Sequence, residues 1–146
     1  MSTYFQGAVK SGDAPNELPS GVGVGTAVFS QTVVIDRNTS GTVNVDATFT
    51  LPKNAQIIAL FPDTLTAWDS ATSAGLTIGS TAGGTEYMTS VDVKSNGRET
   101  PSYSAAQLAA MDDIGTNTTV YVRVAQVGAT TAGQARVTIQ YTGGAA

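Results

Sequence analysis

The chain has 146 residues, of which 41% are apolar and only 12% are charged, and its net charge is −4. Globular proteins usually contain about 25% charged residues, so the supply of catalytic and salt-bridging side chains is small. The sequence has no Cys and no His, which excludes disulfide scaffolds, thiolate metal sites and the commonest general base.

Basic residues are few and scattered. The seven Lys and Arg residues form no cluster of the kind that displaces counterions from nucleic-acid phosphates, so we expect no nucleic-acid partner. No run approaches the roughly 20 apolar residues of a membrane span, and the first residues lack the basic and apolar regions of a signal peptide. We therefore expect a soluble chain that is synthesised in the cytoplasm and has no membrane partner.

The first 25 residues show no sustained hydrophobic period. They contain prolines and a run with glycine at alternate positions, Gly21, Gly23 and Gly25. Alternating glycine makes an ordered element entropically expensive, so this run is either a hinge or a strip that lies against another surface. We predict an extended or flexible arm over residues 1–25 and one folded domain over residues 26–146.

From residue 26 onward, apolar and polar residues alternate with a period of two. In the clearest run, residues 42–51, every second residue is apolar, which predicts a half-buried strand of an antiparallel sheet. Runs rich in Val, Ile, Thr or aromatic residues predict further strands at 26–35, 55–61, 75–78, 86–93, 118–127 and 136–142. Seven short strands predict an all-β fold, an antiparallel sandwich or jelly roll.

The strand predicted at residues 55–61 is apolar on both faces, unlike its neighbours. It lies between Pro52 and Pro62, which we expect to limit its length. A strand with two apolar faces is covered either by a loop, here the segment containing Trp68, or by another subunit. Ile58 and Leu60 are therefore candidate residues for contact with a partner.

One segment has the features of a helix. Ser104 is followed three residues later by Gln107, which is a capping-box pattern, and helix-favouring residues follow before Gly115. This spacing predicts one short helix inside a loop between two strands.

Carboxylates are the only abundant side chains with catalytic potential. Asp63, Asp69, Asp112 and Asp113 fall in predicted loops, where two could converge as in a glycosidase. Aspartate is also common in turns because its side chain binds the local backbone. Asp36 with Asp46, or Asp112 with Asp113, could bind Ca²⁺.

No motif specifies a cofactor. The sequence contains no calcium-loop motif, and the glycine-rich run lacks the following Lys and helix of a phosphate loop. We therefore expect no metal, no cofactor and no enzymatic activity. Trp68, the only tryptophan, is interpreted as a lid packed on the sandwich edge, with stacking on a saccharide as the alternative.

The segments LPKNA at residues 51–55, AWDSATSAGLTIG at 67–79, TVYVRV at 119–124 and TAGQARVTIQY at 131–141 carry a resemblance. They are similar to the small β-sandwich or jelly-roll virion proteins that decorate or cement the capsids of tailed bacteriophages, over roughly residues 26–142. The resemblance implies a structural protein on the outer capsid surface of the virion. Its partner would be the major capsid protein, and it would form a symmetric homo-oligomer, with a trimer favoured.

We expect the capsid contact to involve Gly21, Gly23, Gly25, Ile58 and Leu60. Two other classes of function remain open at this point. The chain could be a tail, fibre or glycan- or receptor-binding module that uses Trp68, or an enzyme that acts on polysaccharide through paired carboxylates.

Overall fold

The computed structural model describes residues 27–37 and 43–143. The arm predicted over residues 1–25 lies outside the described residues. The elements in chain order are β1 (Val28–Asp36), β2 (Val43–Thr50), β3 (Gln56–Thr66), β4 (Ser73–Gly79), β5 (Met88–Asp92), β6 (Gly97–Arg98), α1 (Ala105–Asp112), β7 (Thr119–Val127) and β8 (Gln134–Thr142).

The strands pair in a nested order. β1 pairs with β8, β2 with β7, β3 with β6 and β4 with β5, all antiparallel. Two further pairings, β3 with β8 and β4 with β7, complete a first sheet of order β1-β8-β3-β6 and a second sheet of order β2-β7-β4-β5. A chain that folds back on itself as one long hairpin and then rolls into two packed sheets is a jelly roll. The prediction of an all-β sandwich or jelly roll with one short helix in a loop is confirmed.

The core lies between the two sheets and follows the alternation in the sequence. In β7, for example, Val120, Val122 and Val124 are buried, whereas the residues between them are half-buried on the outer face. Such alternation is what a sheet with one face against the core requires. The other large buried apolar residues include Ile35, Phe49, Leu51, Ile57, Leu60, Trp68, Leu76, Ile78, Met88, Val93, Met111, Val137 and Ile139.

Strand β3 departs from the period of two because it contains a β-bulge. Ile57 and Leu60 are both buried although they are three residues apart. The pairing with β8 shifts between Ile57 and Ala59, so that one extra residue is accommodated and the inward direction is restored at Leu60. The extra residue, Ile58, is exposed. The apolar residues on both faces of the strand predicted at residues 55–61 therefore result from a shift in its pairing register with β8.

Strand β3 also continues four residues beyond Pro62, which we expected to end it. Pro62 pairs with Val137 of β8, and its carbonyl accepts a hydrogen bond from the backbone N–H of Glu99, 3.0 Å away. In an antiparallel strand the nitrogen and carbonyl of one residue point to the same side. The missing N–H of Pro62 therefore faces away from β8, and no hydrogen bond between β3 and β8 is lost.

Helix α1 begins with the predicted capping box. The Ser104 hydroxyl accepts from the backbone N–H of Gln107 at 3.2 Å, and the Gln107 side-chain oxygen accepts from the backbone N–H of Ser104 at 2.9 Å. The Gln107 amide nitrogen also donates to the Thr85 carbonyl and to the Thr89 hydroxyl. One buried side chain thus caps the helix and attaches it to the second sheet. Across residues 27–37 and 43–143, no helix is long and apolar enough to cross a membrane.

The segment around α1 closes one open side of the sandwich. Its end contacts the start of β3, because the N–H of Ile114 donates to the Ala55 carbonyl at 3.1 Å and the Gln56 amide donates to Asp112 at 3.0 Å. Strand β6 has only two residues and covers the same edge of β3 opposite Asp63 and Thr64. The edge of β3 is therefore covered by a helix at its start and by a short strand further along.

On the opposite side of the sandwich, β1 of the first sheet lies next to β2 of the second. The Gln31 side chain joins them, because its amide donates to the Thr50 carbonyl and to the Tyr141 hydroxyl, each at 2.9 Å. Within the described part of the chain, β1 and β2 are the outermost strands on this side.

We expect Gln107→Ala to lower the free energy of unfolding by about 1–3 kcal/mol, because it removes three side-chain hydrogen bonds at a buried site, one of them the Gln107 half of the capping box. Chemical denaturation monitored by circular dichroism measures the effect. Leu108→Ala is the matched control, since the neighbouring side chain is 53% exposed and its loss should change stability by about 0.5 kcal/mol or less. Equal effects of the two substitutions would contradict the anchoring role of Gln107.

Candidate functional site

Asp63 is the centre of a cross-strand row of charges on the outer face of the first sheet. It lies directly opposite Arg98 of β6 and directly opposite Arg136 of β8. Arg98 donates through Nε and one terminal nitrogen to the two carboxylate oxygens, at 2.7 and 3.0 Å, and Arg136 donates at 3.2 Å. Asp63 is buried, whereas both guanidinium groups are largely exposed.

The two arginines act on the ionisation of Asp63. The hydrogen bonds from Arg98, with a smaller contribution from Arg136, hold the pKa of Asp63 below its usual value although burial acts in the opposite direction. Arg98 also lies over the ring of Phe61, with 4.9 Å between its Cζ and the ring centroid, a cation–π contact. This arrangement fastens the two-residue strand β6 to β3 and keeps Asp63 as an ion-pair partner.

Asp69 attaches the loop between β7 and β8 to the loop between β3 and β4. Its carboxylate accepts from the hydroxyls of Thr130 and Thr131 and from the backbone N–H groups of Thr131 and Ala132, the latter two at 2.7 and 3.0 Å. These bonds, led by those from Thr130 and Thr131, lower the pKa of Asp69 well below its usual range. The carboxylate is therefore a fully engaged structural acceptor.

The structure places two of the candidate catalytic carboxylates, Asp63 and Asp112, far from each other. Asp112 accepts from Gln56 at the start of β3, whereas Asp63 lies seven residues further along that strand, a separation of about 23 Å. The two carboxylates of a glycosidase lie roughly 5 to 10 Å apart. Asp113 accepts from the backbone N–H of Gly115 at 2.8 Å, an interaction typical of aspartate in a turn.

Asp36 and Asp46, one of the two pairs considered for Ca²⁺, lie on different sheets. Asp36 accepts from the Gln134 amide on the first sheet. Asp46, on the second sheet, forms a two-bond ion pair with Arg123 directly opposite, at 2.6 and 2.8 Å. The hydrogen bonds from Arg123 lower the pKa of Asp46. The described residues contain no group of three or more acidic side chains that could hold a metal ion.

Trp68 is a core residue with only 1% of its surface exposed. A Cβ atom added at Gly133 would lie 2.6 Å from the Trp68 ring, so the glycine lets the β7–β8 loop pass directly over the indole. The backbone N–H of Trp68 donates to the Val93 carbonyl at 3.0 Å. The ring offers no free face for a saccharide, because it lies in the core beneath the β7–β8 loop.

The residues that we expected to contact a partner have different positions. Leu60 is buried, with 3% exposure, so it packs in the core and is not available to a partner. Ile58 is 46% exposed because it is the extra residue of the bulge. Gly21, Gly23 and Gly25 lie outside the described residues.

The outer face of the first sheet combines exposed apolar side chains with neutral polar ones. Val28 and Val34 are 55% and 51% exposed, and the Thr32 hydroxyl shares a hydrogen bond with that of Thr138 on the next strand. Further along the face are Ile58 and Leu65, both exposed and both extra residues at register shifts of β3. Sequence reasoning did not find Leu65, because a bulge residue has no signature in a pattern of period two.

Two open grooves lie elsewhere on the surface. One, of about 500 Å³, crosses the outer face of the second sheet above Gly75 and is lined by Ser90, Asp92 and Lys94. The other, of about 460 Å³, lies between Arg37 and Gln134 at one end of the first sheet. Both are open and lack the enclosure that is typical of small-molecule sites.

The chain matches no protein-family model, no curated protein and no solved structure.

We expect Trp68→Ala to lower the free energy of unfolding by about 3–5 kcal/mol, because it removes the largest side chain of the core and leaves a cavity. Leu65→Ala, which shortens an exposed apolar side chain, should cost about 0.5 kcal/mol or less. Urea denaturation compares the two variants with the wild type. If Trp68→Ala were as stable as the wild type, the ring could not be a core residue.

Asp63 should make stability depend on pH. Its pKa is lower in the folded chain than the value of about 3.9 in an unfolded chain, so the unfolded state takes up the proton first as the pH falls. The stabilisation is therefore complete above about pH 4 to 5 and is lost as the pH falls through the lowered pKa of the folded state.

At pH 7, Asp63→Asn should be less stable than the wild type by about 1 kcal/mol, since both arginine partners are exposed to solvent. The difference should shrink in urea titrations below about pH 3. Glu99→Gln removes one negative charge near Asp63 but changes none of the three ion-pairing residues, Asp63, Arg98 and Arg136. It should therefore leave the free energy of unfolding at pH 7 nearly unchanged. A deficit for Asp63→Asn that did not depend on pH would rule out the ion pair as its cause.

Proposed function

We propose that this chain is a structural virion protein that binds the outer surface of a tailed-phage capsid and stabilises contacts between capsid subunits. It would act by packing against the major capsid protein and would carry out no catalysis. The jelly-roll fold supports the proposal by analogy, since this arrangement of strands is common among viral capsid and lectin domains.

The outer face of the first sheet carries the proposal. Val34, Ile58 and Leu65 are exposed there among threonine and glutamine side chains. Protein–protein interfaces have cores that are depleted of charge, whereas their rims are polar. A nearly neutral face with several exposed apolar side chains on rigid strands is suited to this kind of contact.

The pairing of carboxylates with partners inside the fold supports the same proposal. Asp63 and Asp46 are engaged in ion pairs with arginines directly opposite them, and Asp69 is engaged by the β7–β8 loop. These carboxylates stabilise the scaffold, so each is already committed to a structural partner. A rigid scaffold fits a protein whose task is to add contacts at many equivalent sites, where weak individual contacts add up.

A glycan- or receptor-binding module of a tail or fibre is the alternative. The aromatic residue on which we based it, Trp68, is enclosed by the β7–β8 loop. The groove above Gly75 offers hydroxyl, carboxylate and ammonium groups but no aromatic platform among its lining residues. The contact surface on the first sheet therefore favours the capsid proposal.

The proposal is tested by adding the purified full-length chain to capsids assembled from the major capsid protein of the same phage and counting bound copies per capsid. Ile58→Glu should reduce occupancy about tenfold or more, because a buried carboxylate without a partner is costly in an interface. Val127→Glu introduces the same charge at an exposed apolar residue of the second sheet and should bind like the wild type. Absence of binding by the wild type, or binding to isolated tails alone, would contradict the proposal.

A further inference from the structure

The two open sides of the sandwich differ in how their edge strands are protected against pairing with another strand. On one side, β6 has two residues, β5 has five residues with an irregular register, and α1 covers the start of β3. Short edge strands, register irregularities and covering helices are the devices by which proteins prevent unwanted strand pairing. This side of the molecule is protected against the addition of another strand.

On the other side, strand β1 has none of these devices within residues 27–37 and 43–143. Its nine residues pair with β8 in an unbroken register from Val28 to Asp36, so its backbone is regular along its whole length. It contains no Pro and no Lys, and its single charged residue is Asp36 at the end. Val28, Phe29 and Val34 are exposed along it. A long, regular and nearly uncharged edge strand is a template for pairing with another strand.

We propose that β1 pairs with β1 of a second copy of this chain, in an antiparallel arrangement about a two-fold axis at Thr32. Thr32 is the central residue of the nine, so the axis places it opposite its own copy. Val34 then lies opposite Ser30 of the second copy on the outer face, and Phe29 lies opposite Ile35. The two first sheets join into one sheet of eight strands across the dimer.

The distribution of charge on β1 fits this self-pairing. Asp36 lies at the end of the strand, so the two copies of it are placed at opposite ends of the antiparallel pair, about 26 Å apart. That separation is well beyond the screening length of about 8 Å at physiological salt. The neutral central residues meet instead, and threonine opposite threonine is a favourable cross-strand pair.

The position of charged residues disfavours self-pairing of β2, the neighbouring edge strand of the second sheet. Asp46 lies near the middle of β2, so antiparallel self-pairing would bring the two copies of this carboxylate close together. Like charges at such positions are destabilising, and although each Asp46 also pairs with Arg123 of its own chain, the uncharged centre of β1 is better suited to self-pairing. The two-fold dimer does not rest on the proposed capsid function, and it differs from the trimer that the sequence resemblance implies.

Disulfide trapping tests the geometry, because the chain has no cysteine and an introduced one is unique. Residues directly opposite on neighbouring strands have Cα atoms about 4.5–5.5 Å apart, within the range that a disulfide spans. Full-length Thr32→Cys should therefore form a covalent dimer in more than roughly half of the chains under mild oxidation. Thr138→Cys is the control, since its side chain lies beside Thr32 but about 14 Å from its own copy, and it should remain monomeric on a non-reducing gel.

Light scattering of the full-length chain tests the interface itself. At about 100 μM the wild type should have a mass near 30 kDa, twice the chain mass of 14.8 kDa. Thr32→Asp should raise the dimer dissociation constant about tenfold or more, because two carboxylates meet at the axis. Thr138→Asp adds the same charge one strand away and should behave like the wild type.

A monomeric or trimeric wild type would overturn the proposal. So would a dimer in which Thr32→Cys forms no disulfide, a result expected if residues 1–26 or another surface joined the copies. If Thr32→Asp failed to fold, the disulfide pair of variants would still decide between these outcomes.

Discussion

The backbone of β3 must find hydrogen-bond partners along both of its edges, and much of the molecule is arranged around this requirement. Strand β8 serves one edge along the length of β3. On the other edge, the N–H of Ile114 bonds to Ala55 just before β3, and β6 with the N–H of Glu99 pairs the part around Pro62 and Asp63. Because unpaired buried backbone groups are costly, the helix and β6 are necessary parts of the sandwich. Gln107 extends this closure to the second sheet by bonding to Thr85 and Thr89.

Charge has a structural role in this chain. With few charged residues in total, Asp63, Asp46 and Asp69 each join elements that are distant in sequence. In the described residues, the outer face of the first sheet carries the charged cluster around Asp63 and Asp36 at the end of β1, and most of the remaining face is neutral polar or apolar. Such a surface suits the proposed contact with a large protein shell and the proposed pairing of β1 with its own copy, since neither depends on long-range electrostatic attraction.

Local signals in the sequence were sufficient for much of the fold. The alternation over residues 42–51 and the Ser104–Gln107 capping box depend on neighbouring residues, and the structure confirms both, with the strand at Val43–Thr50. Features that depend on pairing between distant segments could not be predicted. Strand β6 is too short to have a pattern, and it exists because Arg98 meets Asp63 from 35 residues away.

In the candidate site, too, local features could be predicted from the sequence and long-range pairing could not. Asp63 was assigned to a loop because Pro62 was expected to end the strand, whereas the direction of the Pro62 carbonyl shows that the proline interrupts no bond to β8. Of the two β3 residues that we expected to contact a partner, Ile58 is exposed and Leu60 is buried. The spacing of three between Ile57 and Leu60 is the one sequence feature that could have indicated a bulge, and with it the outward position of Ile58.

The bulge at Ile58 also constrains how the gene can change. Deleting one codon between those for Ile57 and Leu60 would leave these residues two positions apart, so both would still face the core and the later residues would keep their pairing with β8. A deletion between Leu60 and Asp63 would instead move Asp63 out of register with Arg136, its present partner. Related sequences should therefore tolerate loss of the extra residue at the bulge, whereas the regular part of β3 should keep its length and other insertions and deletions should fall in the connecting loops.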